Sequence, residues 1–315
     1  MLIEAGAKDY GRMFPRNPHP YISEPFIELV KGKVDRVVRL MEDQAKVSIG
    51  LIAGIKDQKL ISPFSSPFGG FHFRNNNIMI SEIESFILQL ISYAVSQNLT
   101  MIKVGLPPAI YHHSFNSKMI NALLRNGFSL NTTDISNWVD LHKFTGEFSC
   151  KNTRRNLNQA LQNNLTFHEV TEMAEKEAVY NLIYKNRKWF GRKTNMTFNE
   201  FIEVGKIWPV DFSQVRDSED EIVAGAIFYR GHPKIVQGIM WGDNEHGRGL
   251  RAMDFCSFNL WNHYKKMGFD FIDLGISTEN GIPNNGLIRF KEDCDCTSGL
   301  RLCFILSLTG DTGTL

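Results

Sequence analysis

The chain has 315 residues, of which 43% are hydrophobic, and a formal charge of +1. That length suits one large domain or two ordinary ones, with a core large enough to need neither disulfides nor metal, and the charge balance demands neither nucleic acid nor membrane as a partner. Five cysteines without a paired framework fit a reducing compartment, and no apolar run approaches the roughly 20 residues of a spanning helix, so the expectation is a cytoplasmic protein with no membrane insertion.

The first ten residues carry acid and no apolar centre, so they do not read as a secretion signal. Val47–Ile55 and Lys59–Phe64 read as strands joined at Lys56-Asp57-Gln58, and the two prolines and two glycines of Ser62–Gly70 mark a loop. Ile78–Asn98 has helical spacing, with Ile83, Ile87, Leu90, Ile91 and Ala94 on one face and a capping-box pattern at Ser81 and Glu84. Strand Met101–Leu106 follows, then helix Asn116–Arg125 stopped by Asn126-Gly127, then strand Phe128–Leu141.

The middle reads as a polar helix at Lys151–Leu161, a strand at Thr166–Val170, and helices at Glu172–Phe190 and Thr197–Ile207. A meander of Phe212–Asp217, Ile222–Arg230 and Lys234–Gly242 leads to helix Leu250–Met267, strand Phe269–Ile276, short helix Asn285–Asp293 and strand Thr297–Leu308. The two ends of this series echo one another. Ile102, Val104, Gly105 and Leu106 fall on Ile272, Leu274, Gly275 and Ile276 with no gap, and the helices before these strands keep the same offset. Chance also produces such echoes in α/β chains; a duplicated unit is the alternative, and it predicts tandem domains at 1–145 and 146–315.

This order of elements resembles the GNAT acyltransferase fold in tandem. Ser62-Pro-Phe-Ser-Ser-Pro-Phe-Gly-Gly-Phe71, the Arg154-Arg155 pair, Tyr184-Lys-Asn-Arg187, Asp273-Leu-Gly-Ile-Ser277 and Gly286-Leu-Ile-Arg-Phe-Lys291 are similar to the FemAB-like (FemABX-related) group of that superfamily. The resemblance runs from about residue 45 to the end, and its most specific string is the last. It implies an α+β (mixed α/β) fold of two GNAT-like domains, each a twisted mixed sheet flanked by helices, with the donor held in the second. FemABX members carry a long helical arm for transfer RNA, and no segment here matches it.

Acyl transfer to an amine needs an activated carbonyl held close to the acceptor and donors for the developing oxyanion. Asn244-Glu-His-Gly-Arg-Gly249 lies between a strand and a helix, where backbone N–H groups favour phosphate. Its spacing resembles the GNAT pyrophosphate loop, which implies acyl-CoA as co-substrate with Asn244, Gly247, Arg248 and Gly249 on the carrier. The plain alternative is a loop whose glycines take positive φ. The GNAT resemblance also implies that strands 234–242 and 269–277 part, exposing a backbone N–H near Met240, Trp241 and Gly242 to the donor carbonyl. Gly242 and Gly275 permit a close approach there, or mark bulges.

The resemblance places Lys291 at the cleft, stabilising charge or binding acceptor; without it, a solvated lysine on a helix face is the simpler reading. Asp243, Glu245, His246, Asp273 and Glu279 are candidate bases, His246 for its near-neutral titration and Asp273 among the catalytic set. Arg154, Asn285 and Arg289 are candidate substrate contacts, as are Phe64, Phe68 and Tyr111, against the alternatives of solvated charge and aromatic core. Cys294, Cys296 and Cys303 have poor zinc spacing and no nearby histidine, so no metal is expected. The expected reaction is direct transfer from an acyl-CoA-type donor to a small-molecule or peptide amine. The rivals are aminoacyl transfer from transfer RNA to a peptidoglycan-like peptide and a non-catalytic ligand-binding protein.

Overall fold

The computed structural model describes residues 1–43, 47–75, 77–194 and 196–308. The chain divides into two compact units, Met1–Asp134 with the stretch from Leu300, and Ile135–Gly299. The first contains β1 (Leu2–Glu4), α1 (Ala7–Met13), α2 (Glu24–Val30), β2 (Arg36–Glu42), β3 (Ile49–Lys56), β4 (Lys59–Ser62), β5 (Phe71–Phe73), α3 (Ile80–Ser96), β6 (Met101–Gly105) and α4 (Ala109–Arg125). Its sheet runs β1-β2-β3-β4-β6, with β5 also on β3. Only β4 and β6 pair in parallel among these strands, as a crossover through α3 requires. Helix α3 buries Ile83, Phe86, Ile87, Leu90 and Ala94 against this sheet. It starts at Ile80, so the carboxylate that accepts the Met79 N–H, at 2.9 Å, is Glu82. The expected Ser81–Glu84 box falls two residues too late, and Glu84 instead pairs with Arg125 at 2.7 Å.

Strand β7 (Ser129–Asp140) then leads into α5 (Lys151–Gln162), β8 (Thr166–Val170), α6 (Met173–Trp189), α7 (Phe198–Val204), β9 (Val210–Arg216), β10 (Ile222–Tyr229) and β11 (Ile235–Asp243). The rest is α8 (Glu245–Gly249), α9 (Ala252–Lys266), β12 (Phe271–Ile276), the small hairpin β13 (Thr278–Glu279) and β14 (Ile282–Pro283), α10 (Asn285–Asp293) and β15 (Cys296–Ser307). In the second unit the sheet order is β7-β12-β11-β10-β9-β8. Val236, Phe228, Phe255, Leu260, Trp261 and Ile272 are at the centre of its core.

The duplicated strands occupy equivalent places: β6 lies parallel to β4, and β12 lies parallel to β11. The closing strands do not follow the expected division at residues 145 and 146. Strand β7 pairs with β12 of the second unit, through Asp140 to Phe271 and Val139 to Ile272. Strand β15 pairs with β6 of the first, through Cys303 to Gly105 and Phe304 to Val104. The first unit thus takes its closing strand from beyond the second, while the second uses the end of β7 at its own start.

Candidate functional site

The expected separation of strands is present in the second unit. The β11–β12 ladder comprises three pairs, Ile235 with Phe271, Val236 with Ile272 and Gln237 with Asp273. On the other side of β11 the register with β10 slips, so that Ile227 faces Met240 while Phe228 faces Gly238. The extra residue, Ile239, makes a bulge that turns the strand away from β12.

The cause on the β12 side is Gly275, at φ +65°, a conformation that other residues adopt at a cost. The Asp273 carboxylate fixes this bend: Oδ1 accepts the Gly275 N–H at 2.8 Å, and Oδ2 accepts from Gln237 Nε2 at 3.2 Å. Beyond Asp273 the carbonyls of β12 face no strand partner on β11. Lys291 Nζ takes them over, donating to the oxygens of Leu274, Gly275 and Ile276 at 2.9, 3.1 and 3.2 Å. Lys291 is 1% exposed, which excludes the solvated-lysine alternative. Burial lowers its pKa to about 8, opposed by Cys296 and Asp273 and reinforced by the Arg192 charge. On the next residues of the strand, Ser277 Oγ donates to Asn137 Oδ1 at 2.5 Å and Asn137 Nδ2 donates to Ser298 Oγ at 2.9 Å. Gap, lysine and polar network therefore form one hydrogen-bonded wall.

The Gly-rich turn has a different local logic from an open phosphate nest. Asn244 Oδ1 accepts the Gly247 N–H at 2.7 Å, an N-cap for the short α8. The Arg248, Leu250 and Arg251 N–H groups donate to the carbonyls of Asn244, His246 and Arg248. A Cβ on Gly247 would meet the Val223 carbonyl oxygen at 2.3 Å, so this glycine allows α8 to sit on β10. Gly249 has open space around it. Asp254 stands buried in the first turn of α9, its pKa raised by burial. A carboxylate there occupies the end of the helix where an anion is best stabilised.

Arg248 Nη2 pairs with Asp243 Oδ1 at 3.1 Å, and Asn186 Nδ2 donates to the same carboxylate at 3.2 Å. Asp243 titrates above the usual carboxylate range because burial outweighs these partners. His246 is on α8, pointing to Asp217 at 3.2 Å. Asp273 is fully buried. Met240 is buried, and the Trp241 ring packs on Phe290 and Trp261, with centroids at 5.6 and 6.2 Å. Arg154 Nη1 donates to the carbonyls of Phe148 and Ser149 at 2.7 and 2.8 Å, securing the start of its own helix. Asn285 and Arg289 are exposed on α10, Arg289 being 3.8 Å from Asp293.

In the first unit, Phe68 and Tyr111 lie together, centroids 4.9 Å apart, in a buried cluster with Tyr21 and His19. Phe64 lines a cavity of about 10 Å³. That is roughly the space for one water. Among the described residues no group of three His, Cys, Asp or Glu side chains is placed to hold a metal ion. No described helix is long and apolar enough to cross a membrane.

One group escaped the sequence reading. Between Tyr184 and Lys193 stand Lys185, Arg187, Lys188, Arg192 and Lys193 with no carboxylate, and Trp189 and Phe190 are exposed among them. The visible signal was this run of cations without acids.

The fold defined by these units is a tandem GNAT-like arrangement of mixed α/β class. Within it the chain is similar to FemX, at TM-score 0.69 and 11% identity, covering 98% of this chain and 97% of that one. It is also similar to L-PGS from Bacillus licheniformis, at TM-score 0.58 and 12% identity over 98% and 94% of the two chains. The tandem GNAT protein from the clavulanic acid biosynthesis pathway aligns at TM-score 0.53 and 8% identity over 99% of both. Likeness at such identities is likeness of fold, and it agrees with the FemAB-like resemblance of the sequence. No family model matches the sequence, and no curated protein matches it.

Proposed function

We propose that the chain is an N-acyltransferase that moves an acyl group from an activated carrier directly to an amine. The carrier's carbonyl sits in the gap between β11 and β12. The observation that supports this most is the end of the ladder at Gln237 and Asp273, with the freed carbonyls held by Lys291. On the opposite wall, backbone N–H groups near Met240–Gly242 serve as donors to the oxygen that gains charge. The amine nitrogen adds to the carbonyl carbon, the tetrahedral intermediate expels the carrier's sulfur or oxygen, and the amine proton leaves through water. Lys291 acts here as a positioning residue that keeps the gap open. The likeness to FemX and to a tandem GNAT protein supports the reading through fold alone.

The carrier in this reading is an acyl-CoA-type thioester lying along Met240 and Trp241, with its phosphates toward Arg248 and Gly249. The acceptor is a small-molecule or peptide amine. A second reading, aminoacyl transfer from transfer RNA, draws on the turn itself: its N–H groups are engaged internally and Asp254 places negative charge at the helix mouth. Melting curves with acetyl-CoA and with a charged transfer RNA separate the two, since a ligand that binds only the folded state raises Tm. Transfer to an amine panel from neither carrier would end the proposal.

A further inference from the structure

Arg192 and Arg248 both lie over one ring outside the ladder gap, and Arg187 lies near enough to Arg192 to feel its charge. The guanidinium carbons of Arg192 and Arg248 are 5.6 and 5.0 Å from the centroid of Phe190. Arg187 donates from Nη2 to the Lys193 carbonyl at 2.8 Å, while its Nε is buried and has no partner. The Arg192 charge reaches Arg187, and after burial it is the second cause that lowers the Arg187 pKa. Among the described residues the only carboxylate paired with the three is Asp243, on Arg248. Arg187 and Arg192 are left without a counter-charge. Uncompensated like charges held this close are destabilising unless an anion joins them.

We propose that Arg192 and Arg248, both over the Phe190 ring, form with the neighbouring Arg187 a site for a phosphate ester or diphosphate. Two unpaired guanidinium groups call for a charge near −2, which phosphate supplies and a single carboxylate does not. Guanidinium forks also match phosphate oxygens in pairs. Arg248 is shared with a groove of about 520 Å³ that is lined by Lys185, Asn186, Trp189 and Asn244. The organic part of the ligand lies there, against the Trp189 ring, which is 75% exposed. The site takes the Arg248 side chain from the Gly-rich turn and leaves the turn's engaged N–H groups undisturbed. It shares Arg248 with the carrier of the transfer reading and deepens that reading, yet the two fail separately: a protein that binds phosphate here and transfers nothing refutes the transfer reading alone.

The test is calorimetric titration of the full chain with inorganic pyrophosphate, then with coenzyme A and with a short RNA hairpin carrying a free 3′ strand. Pyrophosphate is expected to bind, more weakly at high salt. Arg192→Gln should reduce its affinity at least tenfold with Tm moved by no more than a few degrees. Arg248→Gln is a second variant in case the first unfolds, and the same loss is expected. Whichever of coenzyme A and RNA binds tighter than pyrophosphate, and loses that gain in Arg192→Gln, identifies the source of the phosphate. Absence of binding by all three overturns the proposal. So does equal affinity for malonate, or an affinity unchanged in both variants.

Discussion

Replacing Lys291 by methionine removes the ammonium and keeps most of the stem. In the native protein the ammonium is buried and its pKa falls from the ordinary 10.5 to about 8. That difference of about 2.5 units corresponds to about 3 kcal/mol at roughly 1.4 kcal/mol per unit. The lowered value means that the unfolded chain binds more protons between about pH 8 and 10.5. Native stability therefore carries the whole cost of the buried charge below pH 8 and recovers it as pH rises through this window. The same charge satisfies the carbonyls of Leu274, Gly275 and Ile276. Leaving such groups without a donor costs about 1–3 kcal/mol apiece, so the net expectation for Lys291→Met at pH 7 is a loss of about 3 kcal/mol. Urea denaturation of both proteins at pH 7 and pH 9.5 measures this. At the higher pH the wild type should gain about 2 kcal/mol relative to the variant, from 1.5 pH units above about 8. Burial pushes the neighbouring Cys296 thiol up to about 12, which disfavours the native state at high pH in both proteins and cancels in the comparison. A stability difference of the same size at both pH values would refute the account of Lys291 as a buried, strained cation.

Gly247→Ala should lower stability by about 1–3 kcal/mol, read from thermal melts, because its new methyl meets the Val223 carbonyl oxygen rather than a side chain that can move. Gly249→Val should fold normally, as nothing lies within 4 Å of the added Cβ, and weaken the carrier; unaltered carrier affinity would remove the turn from the donor site. His246→Gln should leave kcat within about threefold, since His246 faces Asp217, whereas loss of a general base costs about 10²–10⁴.

Helical and strand periodicity placed most of the longer elements from β3 onward to within a few residues, because each buries one clear face, but it began α4 at Asn116 where the helix starts at Ala109, and it missed the short β5, α8, β13 and β14. Strand β2 was invisible, since Arg36, Arg39 and Glu42 interrupt its alternation of Val38 and Leu40. The parting of β11 and β12 was expected through the GNAT resemblance, yet the role of Gly275 was not. Nothing in a sequence distinguishes a glycine needed for positive φ from one needed for close approach. The aromatic residues Phe68 and Tyr111 illustrate the same limit, since core and pocket draw on one residue type. The exchange of β7 and β15 was hidden because register lives in pairing partners rather than in either strand's own pattern.

The borrowed strand β15 has a consequence for biogenesis. Phe304 is wholly buried in the first unit's core and is translated after the entire second unit. Domains emerging from the ribosome generally fold in order of synthesis. Here the open flank of β6 waits, unsatisfied and prone to pairing with foreign chains, until β15 has left the exit tunnel. Removal of β15 would thus cripple the portion made first.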